Sequence, residues 1–279
     1  MNTVRANVLL VDNGSLQPAA TKQLRRLAAA LGRRLGRRVE PVSLLHASAV
    51  PAHQLNGRTA EILEAAVQRR AAAGMRDLVI VPLFVGPSRA VTEHIPAQAM
   101  HWKRAHPGLR VRLAAPLAAR GESRLARMLA KEVRAKLTEA FLRGAAARVA
   151  LVDHGSPVRA VTQVRNRLAV QLRRQLGARV AAVAPCSMER RPGAAYAFNE
   201  PLLKTLLATP RWNSGPVIVA QLFLLPGRHA GPGGDIEAIC RGARQQSPRL
   251  RTRRTRLLGG HAGLVEILAD RFRAATRQR

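Results

Sequence analysis

The sequence predicts an α/β protein made of two similar units, each a parallel sheet flanked by helices. Three features carry that expectation. Apolar, strand-like runs alternate with helical patterns along the chain, which favours parallel strands covered on both faces. Two of those runs end in the same kind of turn, Asp12-Asn13-Gly14-Ser15 and Asp153-His154-Gly155-Ser156. The segments after the two turns stay in register, and such self-similarity marks an internal duplication.

The register is specific. Thr21 falls on Thr162, Leu27 on Leu168, Leu31 on Leu172, Leu35 on Leu176, Gly36 on Gly177 and Val39 on Val180. Leu83-Phe84 then matches Leu222-Phe223, Pro87 matches Pro226, Arg89 matches Arg228, and Ile95 matches Ile236. In the first copy, strands are expected near 6–12, 39–45, 78–84 and 110–114, with helices near 19–35, 57–73, 92–104 and 122–142. Leu24, Leu27, Leu31 and Leu35 recur at helical spacing and give the first helix an apolar stripe. Gly36 and Gly74 are placed to end their helices. The second copy repeats the plan, with strands near 148–153, 179–184, 216–224 and 252–258 and helices near 159–175, 199–208, 234–245 and 262–276. The copies divide near Gly144, giving domains 1–144 and 145–279.

Length and composition allow this architecture. A chain of 279 residues with 47% hydrophobic content can bury one large core or two of ordinary size. Cys186 and Cys240 form neither a metal-ligand pair nor a disulfide framework, so a reducing setting is expected. Residues 1–7 lack the pattern of a signal peptide, and apolar runs such as 78–85 and 217–225 are too short to span a bilayer. A cytoplasmic protein is the expectation. The formal net charge of +31 points towards polyanions. Its basic residues are nearly all arginine and are spread along the chain, with lysine only at Lys22, Lys103, Lys131, Lys136 and Lys204. That distribution reads first as compositional bias. At 3% aromatic residues, a base-stacking platform is poorly supplied, which argues against a nucleic-acid partner despite the arginine cluster at 249–256.

The residues that could carry chemistry sit at strand ends. His154 follows the first strand of the second copy, and ligands of open α/β sheets bind at that edge. His229 follows another strand of the same copy, so the two imidazoles can face one crevice. Together they could hold a divalent transition metal or take protons. A histidine that only bonds its own turn is the alternative. Asp235 follows the glycine-rich stretch 231–234 and can cap a helix. In the long loop after the second strand, Glu189 is the better acid or base candidate, whereas Asn199-Glu200-Pro201 reads as a helix start. Arg190 and Arg191 suit substrate carboxylates. Ser15 and Ser156 sit where helix N-terminal N–H groups could meet an anion.

The His154-Gly155-Ser156 turn, the Leu222-Phe223-Leu224 run, and Gly227-Arg228-His229 with Asp235-Ile236 resemble the sirohydrochlorin chelatases of the cobalamin and siroheme pathways. The resemblance covers nearly the whole chain as two fused copies. It implies two Rossmann-like chelatase units and insertion of Co2+ or Fe2+ into a tetrapyrrole. His154 and His229 would then be the metal-handling and catalytic pair. The resemblance implies a divalent metal as substrate, no tightly bound cofactor and an anionic tetrapyrrole as partner; to these the reading of the residues adds Glu189 as a catalytic candidate and Ser15, Ser156, Arg190 and Arg191 as contacts for the carboxylates. The first copy departs from the pattern: Asn13 replaces the first histidine, Ala90 aligns with His229, and His94 aligns with Asp235. His46 and His53 have no spacing that compensates. A non-catalytic tetrapyrrole or metal carrier is the principal alternative, and a basic nucleic-acid-binding protein the weaker one.

Overall fold

The computed structural model describes residues 6–277. Of the stretch 1–7, residues 1–5 therefore lie outside the described residues. The first half runs β1 (Asn7–Asp12), α1 (Pro18–Leu35), β2 (Glu40–Ser43), α2 (Leu63–Ala72), β3 (Asp77–Pro82), α3 (Ile95–Ala105), β4 (Arg110–Leu113) and α4 (Arg124–Arg134). A single turn, α5 (Glu139–Leu142), leads into β5 (Arg148–Asp153), α6 (Arg159–Leu176), β6 (Ala182–Ser187), α7 (Leu203–Ala208), β7 (Gly215–Gln221), α8 (Asp235–Gln246), β8 (Leu250–Arg254) and α9 (Ala262–Arg277).

Two four-stranded sheets result, ordered β2-β1-β3-β4 and β6-β5-β7-β8, with every pairing parallel. This is the duplicated α/β architecture expected from the alternating pattern. In each sheet the chain leaves the first strand to one side and later returns to the other. The gap above β1 and β3, and that above β5 and β7, is therefore a topological switch point, where open α/β sheets bind ligands.

Alternation of side chains divides each sheet's core between its two faces. Leu9, Val11, Val42, Leu63, Val67, Ile80, Ile95 and Trp102 form one cluster between the first sheet and α2/α3. The equivalent cluster in the second sheet joins Ala150, Val152, Cys186, Leu203, Leu207, Val219, Ile236 and Cys240. Helix α1 carries its predicted stripe inward, with Leu24, Leu27 and Leu31 buried, and ends at Gly36 in the left-handed region.

The compact units do not follow the sequence repeat. One comprises Met1–Arg120 with Gly259–Arg279, and the other Gly121–Leu258. The sequence boundary near Gly144 separates two copies of a pattern, whereas in space each copy's last long helix belongs to the other copy's sheet. Helix α4 packs on α6 and β7, burying Leu125, Met128, Leu129 and Val133. Helix α9 packs on α1, β3 and β4, burying Leu264, Ile267, Leu268 and Phe272. Both stripes need an apolar sheet face, and sequence periodicity does not say which of two similar faces is used.

Other elements differ locally from expectation. The helix anticipated over 122–142 stops at Arg134, and only Glu139–Leu142 resumes it. Strand β6 lies later than 179–184, because Gly177–Arg179 form a separate helical turn. Cys186 is consequently inside the strand. The helix expected from Asn199 starts at Leu203, after a turn at Ala194–Asn199 and a cis Glu200–Pro201 bond. Asn199 is not the cap of that helix but is fully buried.

The arginine cluster at 249–256 is engaged locally. Arg251 donates to the carbonyls of Phe141 and Leu142, and Arg253 bonds Thr138 and lies over the Phe141 ring at 4.6 Å. Arg254 pairs with Glu237, and Arg256 with Glu132. These guanidiniums fasten the edge strand β8 to neighbouring segments. No helix among the described residues is long and apolar enough to cross a membrane.

Candidate active site

The turn after β5 is held by backbone geometry. Met188 N–H donates to Asp153 O at 2.8 Å, and Glu189 N–H donates to His154 O at 3.1 Å. Gly155 adopts a φ of +96°, and a Cβ there would lie 1.9 Å from Glu189 O. Only glycine tolerates both that dihedral and that approach. The turn thus brings His154 and Glu189 together from adjacent strand ends. The first unit repeats the device with Gly14 against Leu45 O.

His229 follows β7, the neighbouring strand on the other side of β5. Its Nε2 lies 3.3 Å from Nε2 of His154, with ring centroids 4.6 Å apart and planes at 74°. Its Nδ1 lies 2.6 Å from Asp235 Oδ2, at the start of α8. Glu189 Oε1 is 3.5 Å from His154 Nε2. The side chains of His229, His154 and Glu189 are 30%, 49% and 59% exposed, so the group is open to an incoming molecule.

Their hydrogen bonding defines the electronic state of the pair. A 2.6 Å contact to a carboxylate calls for a proton on Nδ1 of His229 and turns its Nε2 towards His154. Nδ1 of His154 faces the Gly155 carbonyl at 3.2 Å, which likewise calls for a proton on that nitrogen. With both Nδ1 atoms engaged, the two Nε2 atoms face each other, and Glu189 Oε1 lies 3.5 Å from that of His154. Among the described residues, no group of three or more His, Cys, Asp or Glu is arranged to hold a metal. The two imidazoles therefore form an open pair rather than a closed ligand set.

Beneath the turn lies a buried network. Asp153 accepts from Ser187 Oγ at 2.7 Å and sits 3.6 Å from the guanidinium of Arg165, a side chain only 1% exposed. Arg165 also donates to Ser187 Oγ and, at 3.0 Å, to the carbonyl of Asn199. Asn199 in turn accepts from Ser156 N–H at 3.0 Å and donates to Ser156 O at 2.9 Å. Burial pushes the Asp153 carboxyl up, with Arg165 and Ser187 pulling against it.

Other anticipated contacts fall out differently. The N–H of Ser156 is taken by Asn199, its Oγ accepts from Val158 N–H, and α6 starts only at Arg159. Ser156 is therefore a turn residue ahead of the helix rather than part of its first turn. Ser15 does the same, accepting from Gln17 N–H at 3.1 Å ahead of Pro18. Arg190 is tied to Glu200 at 2.6 Å and to the carbonyls of Arg191 and Gly193. Hydrogen bonding from Arg190 holds the Glu200 carboxyl below its usual range, and Glu200 also accepts from Leu202 N–H. Arg191 lies with its guanidinium 5.9 Å from the Tyr196 ring centroid. The orienting bond from Asp235 to His229 and the Arg165 network were not anticipated. The second had a signal: the pairing of Leu27 with Leu168 sets Arg165 on Leu24, a charge within an apolar stripe.

The first unit lacks every member of the cluster. Leu44 and Leu45 bond the turn as Met188 and Glu189 do, so Asn13 and Leu45 stand where the second unit has His154 and Glu189. Ala90 opens a wide helical turn through His94 that runs straight into α3. His46 and His53 are exposed, the first just ahead of the helical turn Ala47–Ala49 and the second within the turn Ala52–Leu55. Leu24 replaces the buried arginine, and among the described residues Asp12 keeps only Ser43 Oγ, at 2.6 Å, as a side-chain partner. Burial pushes the Asp12 carboxyl up to about 6 from 3.8. Because the folded state then holds the proton more tightly, its contribution is most favourable below 3.8 and falls as pH rises to about 6. Asp12→Asn is expected to stabilise the protein by about 1–3 kcal/mol at pH 8 and to change little at pH 4, as read by chemical denaturation. Equal effects at both values would contradict the assignment.

Comparison with known proteins places this geometry in context. The CbiX family model matches residues 7–136 and again 148–275. No curated protein sequence matches the chain. Among solved structures, the chain is similar to SirB from Bacillus subtilis with Fe3+, at a TM-score of 0.71 and 16% identity over 98% of this chain and 96% of that one. It is also similar to the sirohydrochlorin chelatase SirB from Bacillus subtilis subspecies spizizenii in complex with cobalt, at 0.68 and 16% over 99% and 97%. A third similar structure is CbiX, described as the terminal enzyme for siroheme biosynthesis in denitrifying bacteria, at 0.61 and 18% over 96% and 99%.

Proposed function

Since this chain belongs to the CbiX family, we propose that it is a chelatase inserting a divalent metal ion, Co2+ or Fe2+, into a sirohydrochlorin-type tetrapyrrole for cobalamin or siroheme synthesis. The observation that carries the reading is the opposed imidazole pair, His154 and His229, with nitrogens 3.3 Å apart and one ring oriented by Asp235. Insertion replaces two pyrrole N–H protons by one M2+ ion, so two protons leave as the metal enters. His154 and His229 take the ion as substrate at their Nε2 atoms and, once it has passed to the ring, are free to accept those protons. Glu189, exposed beside His154, is the next proton acceptor.

A carboxylate-rich substrate meets a strongly cationic protein, which speeds encounter. Of the four side chains anticipated for its carboxylates, Arg191 has the most exposed setting. Arg190 acts through Glu200 to hold the loop, and the Ser15 and Ser156 hydroxyls remain candidate donors. The free, buried cysteines Cys186 and Cys240 fit a reducing, cytoplasmic setting. The test is visible absorption of the ring during incubation with Co2+, Fe2+ or Ni2+. Multiple turnover above the uncatalysed rate is expected. Ring binding with no acceleration would overturn the reading in favour of a carrier.

A further inference from the structure

The two units differ at a second place, away from the imidazole pair. In the first, Trp102 of α3 fills the space against α2, is 1% exposed, and donates its indole N–H to Glu64 Oε2 at 2.8 Å. Gln98 donates to the same carboxylate oxygen. The matching position in the second unit follows from equivalent bonds. His106 N–H donates to Trp102 O as Ser247 N–H donates to Ala243 O, and Ala66 N–H donates to Ile62 O as Leu206 N–H donates to Leu202 O. Ala243 thus stands for Trp102, Lys204 for Glu64 and Ile239 for Gln98. Between α7 and α8 the structure has a groove of about 520 Å³, lined by Lys204, Leu207, Ile239, Ala243 and Gln246 among others. That volume is within the range of small-molecule sites.

We propose that this groove binds a planar aromatic carboxylate of about indole size. The first unit supplies the template, because the same helix pair there encloses an indole. The exchange of Glu64 for Lys204 reverses the polarity at its rim. Where an acceptor receives the indole N–H of Trp102, a cationic donor now calls for an anionic acceptor on the ligand. Replacing Gln98 by Ile239 exchanges a polar side chain for an apolar one that can meet a ring face, while Gln246 and Ser247 add polar groups to the lining. The inference is independent of the chelatase reading.

The experiment is titration of the full chain with indole-3-acetate, and with neutral indole as the uncharged control, by calorimetry and ligand-observed NMR. Saturable binding of indole-3-acetate with Kd of about 1 mM or tighter is expected. Lys204→Glu should weaken indole-3-acetate about three- to fivefold and leave indole within about twofold. Ala243→Trp, which restores the first unit's side chain, should abolish binding of both. Ile239→Gln serves as a milder second variant if that protein does not fold, and should weaken both probes. Absence of saturable binding to the wild type, or binding unchanged in the groove variants, would overturn the proposal. Sedimentation showing a dimer that Ala243→Trp dissociates would overturn it too, assigning the groove to a second copy of this chain.

Discussion

Replacing His154 or His229 by alanine is expected to lower the metal-insertion rate about 10²- to 10⁴-fold, the range for removing a positioned proton-transfer group. The two losses should not add. On the proposed reading both Nε2 atoms, 3.3 Å apart, serve one ion, so deleting either imidazole would dismantle the same site. The double variant should fall little below the worse single one. Asp235→Asn should have a smaller effect, about 10- to 100-fold, because it disturbs the tautomer and orientation of His229 without removing a ligand. Initial rates at saturating metal and ring would measure all four proteins. Full activity in both single variants would sink the assignment, while full additivity would separate the two imidazoles into independent roles.

Arg165→Leu, the residue found at the equivalent position 24, is expected to destabilise the protein by about 3–5 kcal/mol. The magnitude follows from what is left behind. Asp153, Ser187 and the carbonyl of Asn199 all share that guanidinium, and Asp153 is itself buried. Removing one partner strands a carboxylate in a site that already pushes its pKa up by desolvation. Adding Asp153→Asn should restore at least about half of the loss, since a neutral amide avoids the uncompensated charge. Denaturation of the four members of this cycle would test it. A loss below about 1 kcal/mol in Arg165→Leu would show that the network contributes little. Because Asn199 joins the network to Ser156, the variant should also loosen the turn that carries His154 and slow insertion.

Much of the fold is readable from local pattern. The parallel strands, the apolar stripe of α1, and the two matched turns follow from periodicity and repetition, which depend on neighbours close in sequence. The meeting of His154 and His229 was also legible, because parallel strands must end at one sheet edge. The first unit's lack of the imidazoles could be read at Asn13 and Ala90. Its matching of Leu45 to Glu189 needed the turn's hydrogen bonds, since loop lengths blur the alignment there.

What the sequence by itself determined was the duplicated α/β architecture and which copy carries the histidines, since hydrophobic period and residue identity suffice for both. Tertiary structure alone decided three things. It assigned α4 and α9 to the opposite copies' sheets, a choice between two equally apolar faces that no local pattern encodes. It made Asp235, the first residue of α8, also the partner of His229 at 2.6 Å, because that contact depends on where a glycine-rich loop returns. It also buried Arg165 beneath the turn that carries His154, beside Asp153. A charge in an apolar stripe is stable only when partners from distant segments satisfy it, and only the folded chain brings those partners together.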